Sequence, residues 1–368
     1  ADVQSRGWSW AEPLSCTTVG DALRCEGELQ GADYRETRAS GPGAVVPVKG
    51  GSWSLHVSVR APVGATDVPV IVYGHGMEGS RSEIDFLWQY VDDIGVAVVA
   101  MDALYHGDHP TSGSALAVLP FLGIDLLSLN LDTAQTRGSF DQTALERLQL
   151  LEALAADPQI PGGPRLDMSR VGYHGSSLGG LLGAEVLAHS DVDAAFLTVA
   201  GGNLIRLAAA MNLGEGTTMG DILRVVVGAD DAAWEVFVAV VQVALDAADP
   251  AVNAAHPRVA EAHVFLPVAQ QDEIVAKEAG QALARSLALP HVEPIQEAVA
   301  TLTAASPPLS GNDAGVTRGF FQHALVTSGG VLVPATHDTT LNAPEVAAQV
   351  RAWWEAWATT GVPEIVAP

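Results

Sequence analysis

Six short, almost continuously apolar runs are the feature that most constrains the fold of this 368-residue chain. Most are followed closely by Gly, His or Asp, and they occupy residues 68–73, 96–101, 170–173, 194–199, 264–268 and 331–334. Strands that are apolar on both faces belong inside a parallel sheet covered by helices on each side. Helical patterns lie between and after them, at residues 83–94, 144–156, 178–188, 277–289 and 344–359. The alternation predicts an α/β fold with a mostly parallel, doubly wound sheet.

Three segments depart from a minimal fold of this kind. The alternation of Trp53, Leu55, Val57 and Val59 predicts a half-buried strand, so residues 1–60 are expected to form an antiparallel β extension of the sheet. Residues 104–130 and 203–258 are expected to form helical cap insertions above the carboxyl ends of the strands. With no internal repeat or low-complexity linker, residues 1–368 are predicted to form a single elaborated domain.

The charge balance excludes two classes of partner. Lys and Arg total 18 against 43 Asp and Glu, a formal net charge of -25 that would repel a nucleic-acid backbone. Lys occurs only at Lys49 and Lys277, so there is no polybasic patch for anionic lipids. The richest apolar stretches are interrupted by Asp125 and by Glu235, which argues against stable membrane insertion. The oligomeric state is left open.

The two cysteines, Cys16 and Cys25, lie in a polar, turn-rich stretch that could fold as a hairpin. They are interpreted as a disulfide, which favours a secreted or periplasmic protein, and the alternative is a pair of free thiols. The chain begins at Ala1 rather than Met, as it would after signal-peptide removal or in a trimmed chain. No further ligands lie nearby, so no metal site is predicted, and no cofactor is expected.

The sharpest motif is G-x-S-x-G at residues 175–179, which places Ser177 after an apolar strand and before a helical stretch. Such a strand-turn-helix elbow holds a serine oxygen in a strained, exposed position where it can act as a nucleophile. His174, three residues earlier, is expected to pack beside the elbow. The alternative is a glycine-rich turn without chemistry.

A serine nucleophile needs a base to take its proton and an acid to orient that base. Asp272 follows the apolar run at residues 264–268, and His337 follows the run at 331–334. The order Ser177, Asp272, His337 is the order of the α/β-hydrolase triad. Glu273 is the alternative acid, and His323 is the alternative base, although its surroundings look like a helix interior or end.

These motifs resemble those of α/β-hydrolases of the esterase/lipase type, over about residues 68–354. The acid loop, residues 269–275, is similar to the family's G-x-x-D-x-x-V with Ala269 in place of Gly. Gly74-His75-Gly76-Met77 resembles the H-G-x oxyanion motif, which implies that the backbone N–H groups of Met77 and Leu178 bind the oxyanion and that His75 is structural. Residues 132–155, with Arg137 and Gln142, resemble bacterial extracellular lipases with a large cap.

Residues 102–109 are similar to the family's D-x-x-G-H-G loop, which holds the floor of the active site. Tyr105 replaces the glycine before His106. A metal chelated by His106, Asp108 and His109 is the alternative interpretation of this loop.

The apolar run at residues 115–127 indicates either packing on the sheet or an acyl-binding pocket. Together these observations predict a secreted serine carboxylic-ester hydrolase that acts on small or polymeric apolar acyl esters through an acyl-enzyme. The same residues also admit a polyester depolymerase, a serine peptidase or an acyltransferase. The alternative outside enzymes is a binding protein on a hydrolase scaffold.

Overall fold

The computed structural model describes residues 7–39, 41–47, 50–113, 116–125, 128, 130–212, 216–228 and 230–368. Parts of the predicted cap and apolar run lie outside these ranges, as do Ala1 and Lys49. The strands are β1 (Trp10–Val19), β2 (Ala22–Asp33), β3 (Arg35–Arg38), β4 (Gly41–Val45), β5 (Gly51–Pro62), β6 (Asp67–Gly74), β7 (Ala97–Met101), β8 (Ile124–Asp125), β9 (Asn130–Leu131), β10 (Arg165–Ser176), β11 (Ala194–Thr198), β12 (His263–Ala269), β13 (His291–Val292), β14 (Ala304–Ala305), β15 (Arg318–His323), β16 (Leu325–Ser328) and β17 (Val331–Pro334).

Helices lie between and after these strands, and five of them run in succession between β11 and β12. They are α1 (Ile84–Val91), α2 (Val118–Phe121), α3 (Thr133–Ala156), α4 (Leu178–His189), α5 (Leu204–Ala210), α6 (Met219–Val227), α7 (Asp231–Leu245), α8 (Pro250–Asn253), α9 (Pro257–Ala260), α10 (Lys277–Ser286), α11 (His337–Leu341) and α12 (Pro344–Thr360). Within the described ranges, none of them combines the length and hydrophobicity needed to cross a bilayer.

Among the described residues, eleven strands form the main sheet in the order β1-β2-β5-β7-β6-β10-β11-β12-β15-β13-β14, and β3-β4, β8-β9 and β16-β17 form three two-stranded sheets. From β7 to β14 in that order neighbouring strands are parallel, whereas β1, β2 and β5 pair antiparallel with their neighbours and with β7. The predicted fold class, a mostly parallel sheet with an antiparallel β extension at its amino-terminal end, is confirmed.

Two predictions near the carboxyl end are wrong, one about where a strand lies and one about the type of a neighbouring element. The apolar run Val331–Pro334 does form a strand, but it pairs with β16 in a separate two-stranded ribbon and most of it is exposed. The neighbouring stretch around His323, predicted as a helix interior or end, is instead the fully buried strand β15 of the main sheet. Its polar side chains are buried because they are hydrogen-bonded: Glu297 N–H donates to Gln322 Oε1 (2.9 Å), and His323 Nε2 lies 3.1 Å from Gln349 Oε1.

Helix α3 is longer than the predicted helix at residues 144–156, because it begins at Thr133. The carboxylate of Asp132 caps it by accepting hydrogen bonds from the N–H groups of Ala134 and Gln135, both at 3.1 Å. Its buried face includes Gln142 and Gln149, whose side-chain oxygens accept hydrogen bonds from β2 and the residue after it. A polar face that is buried hides the periodicity by which sequence patterns reveal a helix.

Tryptophans of α12 fill one side of the core. Trp353, Trp354 and Trp357 are fully buried, and Trp353 packs against Phe196 of β11 and Phe265 of β12. Pro344 occupies the first turn of this helix, where its missing N–H costs nothing. Burial of aromatic surface on this scale fixes α12 to the middle of the sheet.

Cys16 and Cys25 are joined by a disulfide, as predicted. They lie directly opposite each other on β1 and β2. The bond therefore fastens the outermost described strand of the main sheet to its neighbour β2.

Replacing both cysteines by alanine should lower the free energy of unfolding by about 2–3 kcal/mol, because the unfolded chain loses a short covalent loop. Urea denaturation followed by circular dichroism measures the change. Wild-type protein treated with a reductant is the matched control and should show a similar loss. A change below about 0.5 kcal/mol in both would contradict the prediction.

Candidate active site

Ser177 sits at the turn between β10 and α4, with a backbone φ of 53° and ψ of -112°. A positive φ is costly for a residue with a side chain, so the surrounding structure must hold this turn in place. Ser177 N–H donates to Thr198 O (3.0 Å), and Gly179 N–H donates to His75 O (3.0 Å). These bonds fix the turn to the ends of both neighbouring strands.

Two glycines of the motif are required by close backbone approach. A Cβ on Gly179 would lie 2.1 Å from Gly74 O, and a Cβ on Gly175 would lie 2.4 Å from Gly179 O. A larger residue at Gly179 would push the serine turn away from β6, and a larger residue at Gly175 would collide with the first turn of α4.

The structure brings together the three residues predicted from the sequence. Ser177 Oγ lies 2.9 Å from His337 Nε2, and Asp272 Oδ2 and Oδ1 lie 2.8 and 3.0 Å from His337 Nδ1. All three side chains are buried or nearly so. A carboxylate can only accept, so Nδ1 carries the ring proton and Nε2 accepts from the serine hydroxyl.

The Asp272 carboxylate is fixed independently of the histidine. Oδ1 also accepts hydrogen bonds from the N–H groups of Ile274 (2.9 Å) and Val275 (2.7 Å). The loops that carry Asp272 and His337 are joined because Gln271 N–H donates to Ala335 O at 2.9 Å. His337 itself is the first residue of α11, whose amino-terminal cap is Thr336.

The two alternative residues, Glu273 as the acid and His323 as the base, make different contacts. The Glu273 carboxylate accepts a hydrogen bond from the backbone N–H of His337 at 3.4 Å, whereas the Asp272 carboxylate accepts from Nδ1 of its ring. His323 lies on the buried strand β15, and its ring is hydrogen-bonded to Gln349 of α12. Burial lowers the pKa of His323 to about 4, so the ring is neutral near pH 7.

A cleft of about 360 Å³ opens beside Ser177 and His337. Met77 and Gly76 line it, and a Cβ on Gly76 would lie 3.7 Å from Ser177 Cβ. Leu178 is the first residue of α4, where a helix leaves its N–H without an intrahelical acceptor. Within the part of the chain that the structure describes, no hydrogen-bond acceptor is found for the N–H of Met77 or of Leu178.

His75 shapes the loop that carries Met77. Its Nε2 accepts a hydrogen bond from Ala103 N–H (2.9 Å), so its proton is on Nδ1, which donates to Gly76 O (2.7 Å). Burial lowers the pKa of His75 to about 3, so the ring is neutral and cannot exchange protons near pH 7. The contacts are those of a structural residue.

Glu83 is a cleft residue that the sequence analysis missed. Its Oε2 accepts hydrogen bonds from Gly76 N–H and from the Tyr73 hydroxyl, both at 3.3 Å. Burial raises the pKa of its carboxyl group above the usual value. Its place on a short 3₁₀ turn, seven residues after Gly76, gives no sequence pattern by which to find it.

The possible chelating residues of the loop after β7 have other partners. Nδ1 of His106 lies 2.7 Å from Leu104 O, and Asp108 forms an ion pair with Arg81 at 2.9 Å. His109 lies 2.8 Å from the Thr111 hydroxyl. Asp102 accepts from the backbone and the guanidinium of Arg81, at 2.6 and 2.7 Å, and so anchors the loop.

An apolar cavity of about 280 Å³ lies between the β8–β9 hairpin and helices α5 to α7. It is lined chiefly by aliphatic side chains, among them Leu122, Leu131, Leu204, Ile205, Ala208, Met219, Ile222, Leu223 and Val241. Leu204 and Ile205 belong to the same buried cluster as Leu178 and Leu181 of α4, the helix that follows Ser177. The predicted apolar run at 115–127 contributes Leu122, Ile124 and Asp125 to this cavity, whereas Ala115, Leu126 and Leu127 lie outside the described residues.

No protein-family model and no curated protein matches this chain. Its fold is similar to that of many solved structures, among them two acetyl xylan esterases. Acetyl xylan esterase 1 from a Thermoanaerobacterium strain is 16% identical with a TM-score of 0.52, over 87% of this chain and 83% of that one. An acetyl xylan esterase from a Paenibacillus strain is also 16% identical with a TM-score of 0.52, over 83% and 84%. At this identity the likeness shows the fold alone.

Acidification should destabilise the protein through His174, which is buried among aromatic rings and accepts a hydrogen bond from Trp354 Nε1–H (3.1 Å). Burial lowers its pKa to about 3, whereas an unfolded chain binds the proton below about pH 6.5. Stability is therefore retained above that pH and lost as the pH falls, by about 2 kcal/mol at pH 5.

His174→Asn keeps an acceptor for Trp354 and removes the titrating group. Its loss of unfolding free energy between pH 7 and pH 5, measured by urea denaturation, should be smaller than that of the wild type by about 2 kcal/mol. His56→Asn, at a half-exposed strand position, is the control. Equal losses in the wild type and His174→Asn would refute the prediction.

Proposed function

We propose that this chain is a secreted serine hydrolase that cleaves carboxylic esters of apolar acyl groups. The observation that carries the proposal is the connected set of hydrogen bonds from Asp272 through His337 to Ser177. It lies at a strained strand-to-helix turn beside an open cleft. Nucleophile, base and orienting acid within hydrogen-bond reach are the requirement for acyl transfer through a covalent intermediate.

In the first half of the reaction, Ser177 Oγ attacks the ester carbonyl while Nε2 of His337 takes the hydroxyl proton. Negative charge develops on the carbonyl oxygen, and the N–H groups of Met77 and Leu178 stabilise it. Asp272 stabilises the imidazolium. The imidazolium then donates its proton to the departing alkoxide, which leaves as the alcohol, and the acyl group stays on Ser177.

Water completes the cycle. It enters the site vacated by the alcohol, gives a proton to Nε2 of His337 and attacks the acyl carbon. The second tetrahedral intermediate collapses as the proton passes from His337 to Ser177 Oγ, which releases the carboxylic acid and restores the enzyme.

Export and a cap are parts of the same proposal. The disulfide between Cys16 and Cys25 is typical of proteins from oxidising compartments. Leu204 of α5 and Trp234 of α7 belong to the same buried cluster as Leu178 and Leu181 of α4, as expected of a cap beside the site. An arrangement of this kind agrees with the proposed likeness to extracellular lipases with a large cap.

A polyester depolymerase, a serine peptidase and an acyltransferase would use the same three residues. The cavity between the β8–β9 hairpin and helices α5 to α7 favours a substrate with an apolar acyl chain. Burying such a chain against the aliphatic lining removes apolar surface from water, which stabilises the bound substrate. A binding protein on a hydrolase scaffold would not need the complete set of hydrogen bonds that this site retains.

Ser177→Ala should abolish turnover of p-nitrophenyl butyrate and labelling by a fluorophosphonate probe, while the circular-dichroism spectrum is unchanged. The reason is that no other group can form the acyl-enzyme. Ser82→Ala, at an exposed position on the 3₁₀ turn, is the matched control. Turnover by Ser177→Ala at the wild-type rate would overturn the proposed function.

The acyl preference is tested by filling the cavity. Ala208→Phe should lower kcat/KM for p-nitrophenyl decanoate by about tenfold or more relative to the acetate, since a chain that the cavity cannot accept loses about 0.8 kcal/mol for each unburied methylene. Ala210→Phe, at an exposed position on the same helix, is the control. An unchanged ratio of decanoate to acetate would show that the acyl chain binds elsewhere.

A further inference from the structure

Tyr105 occupies a backbone conformation that normally favours glycine. Its φ is 68°, in the left-handed region, at the tip of the loop that follows β7. A residue with a Cβ pays about 1–2 kcal/mol to stay there, so surrounding contacts must hold it. Its N–H donates to the Thr111 hydroxyl at 2.8 Å, which secures one side of the tip.

The other side of Tyr105 is held by the amino-terminal β extension. Arg35 Nη1 donates to the Tyr105 hydroxyl at 3.0 Å, and the Arg35 side chain is almost fully buried. Asp33 orients the guanidinium by accepting from Nε (3.0 Å) and Nη2 (3.2 Å). The guanidinium carbon also lies 5.4 Å from the ring centre of Trp53 on β5.

The loop that carries Tyr105 contacts the oxyanion loop, residues 75–77, at two points. Ala103 N–H donates to His75 Nε2 at 2.9 Å, and His106 Nε2 lies 3.2 Å from Met77 Sδ. Tyr105 lies between Ala103 and His106 in the chain. Its backbone conformation therefore determines whether both contacts can form at once.

We infer that Arg35 and Tyr105 are positioning residues that set the orientation of the Met77 N–H toward the reacting carbonyl oxygen. The inference rests on the proposed function, because it assigns the two residues to the hydrolase site. Arg35 acts on Met77 through a chain of contacts. Its hydrogen bond holds Tyr105 in the left-handed conformation, Tyr105 fixes the position of the adjacent His106, and His106 packs on the Met77 side chain. Donors aimed at a developing oxyanion lose most of their effect when they are displaced.

Tyr105→Phe removes only the hydroxyl that Arg35 contacts, so it is the primary variant. We expect kcat for p-nitrophenyl butyrate to fall about 5- to 20-fold with KM changed less than about twofold, since the interaction is made in the transition state. The inhibition constant of a trifluoromethyl ketone analogue, which forms a tetrahedral oxyanion on Ser177, should rise by the same factor. A purely structural role would lower the melting temperature and leave both quantities unchanged.

Arg35→Met completes a double-mutant cycle. The Arg35→Met and Tyr105→Phe effects on kcat should be non-additive, with the double variant no slower than Arg35→Met alone, because each removes the hydrogen bond between Arg35 and the Tyr105 hydroxyl. Arg24→Met is the matched control, since Arg24 lies on the same extension and pairs at the surface with Asp85 at 3.0 Å. If Arg35→Met does not fold, Tyr105→Phe alone still decides.

An unchanged kcat and inhibition constant in Tyr105→Phe, or fully additive effects in the cycle, would overturn the inference. Those results would leave the proposed function standing as long as Ser177→Ala abolishes turnover. Conversely, full turnover by Ser177→Ala would overturn the proposed function, and the inference about Arg35 and Tyr105 would fall with it.

Discussion

The close backbone approach between β6 and the serine turn is the constraint on which the rest of the site depends. Gly179 N–H donates to His75 O, and no side chain fits between Gly179 and Gly74. This contact holds the loop that carries Met77 beside Ser177. Asp272 and His337 are then brought in from the far side of β11, on loops joined by a backbone hydrogen bond.

Ser177, Asp272 and His337 could be placed from the sequence because their signals are local. Each follows an apolar run, and parallel strands end at the same edge of a sheet, so residues just after them meet in space. His337 was predicted to follow a strand of the main sheet, but the strand before it, β17, pairs with β16 in a separate ribbon. The exposed β17 ribbon returns the chain to the edge where the buried strand β15 ends.

The elements and contacts that could not be predicted from the sequence depend on buried polar side chains. Strand β15 and the first turns of α3 were hidden because Gln322, His323 and Gln142 are buried with hydrogen-bond partners, so hydrophobicity gives no period to detect. Glu83 contacts Gly76, 7 residues away, and Arg35 contacts Tyr105, 70 residues away, and neither pair belongs to a motif seen in the sequence. These contacts depend on the packed tertiary structure.

The disulfide on β1 also bears on how copies of the protein meet one another. An edge strand exposes unpaired N–H and C=O groups that can template pairing with another chain, particularly when its register can slip. β1 is such an edge and spans ten residues, but the bond between Cys16 and Cys25 fixes its register on β2 and prevents it from peeling away. Register shifts between Trp10 and Ser15 distort the rest of the strand. The opposite edge, β14, has only two residues, so both ends of the sheet are poor templates for strand addition.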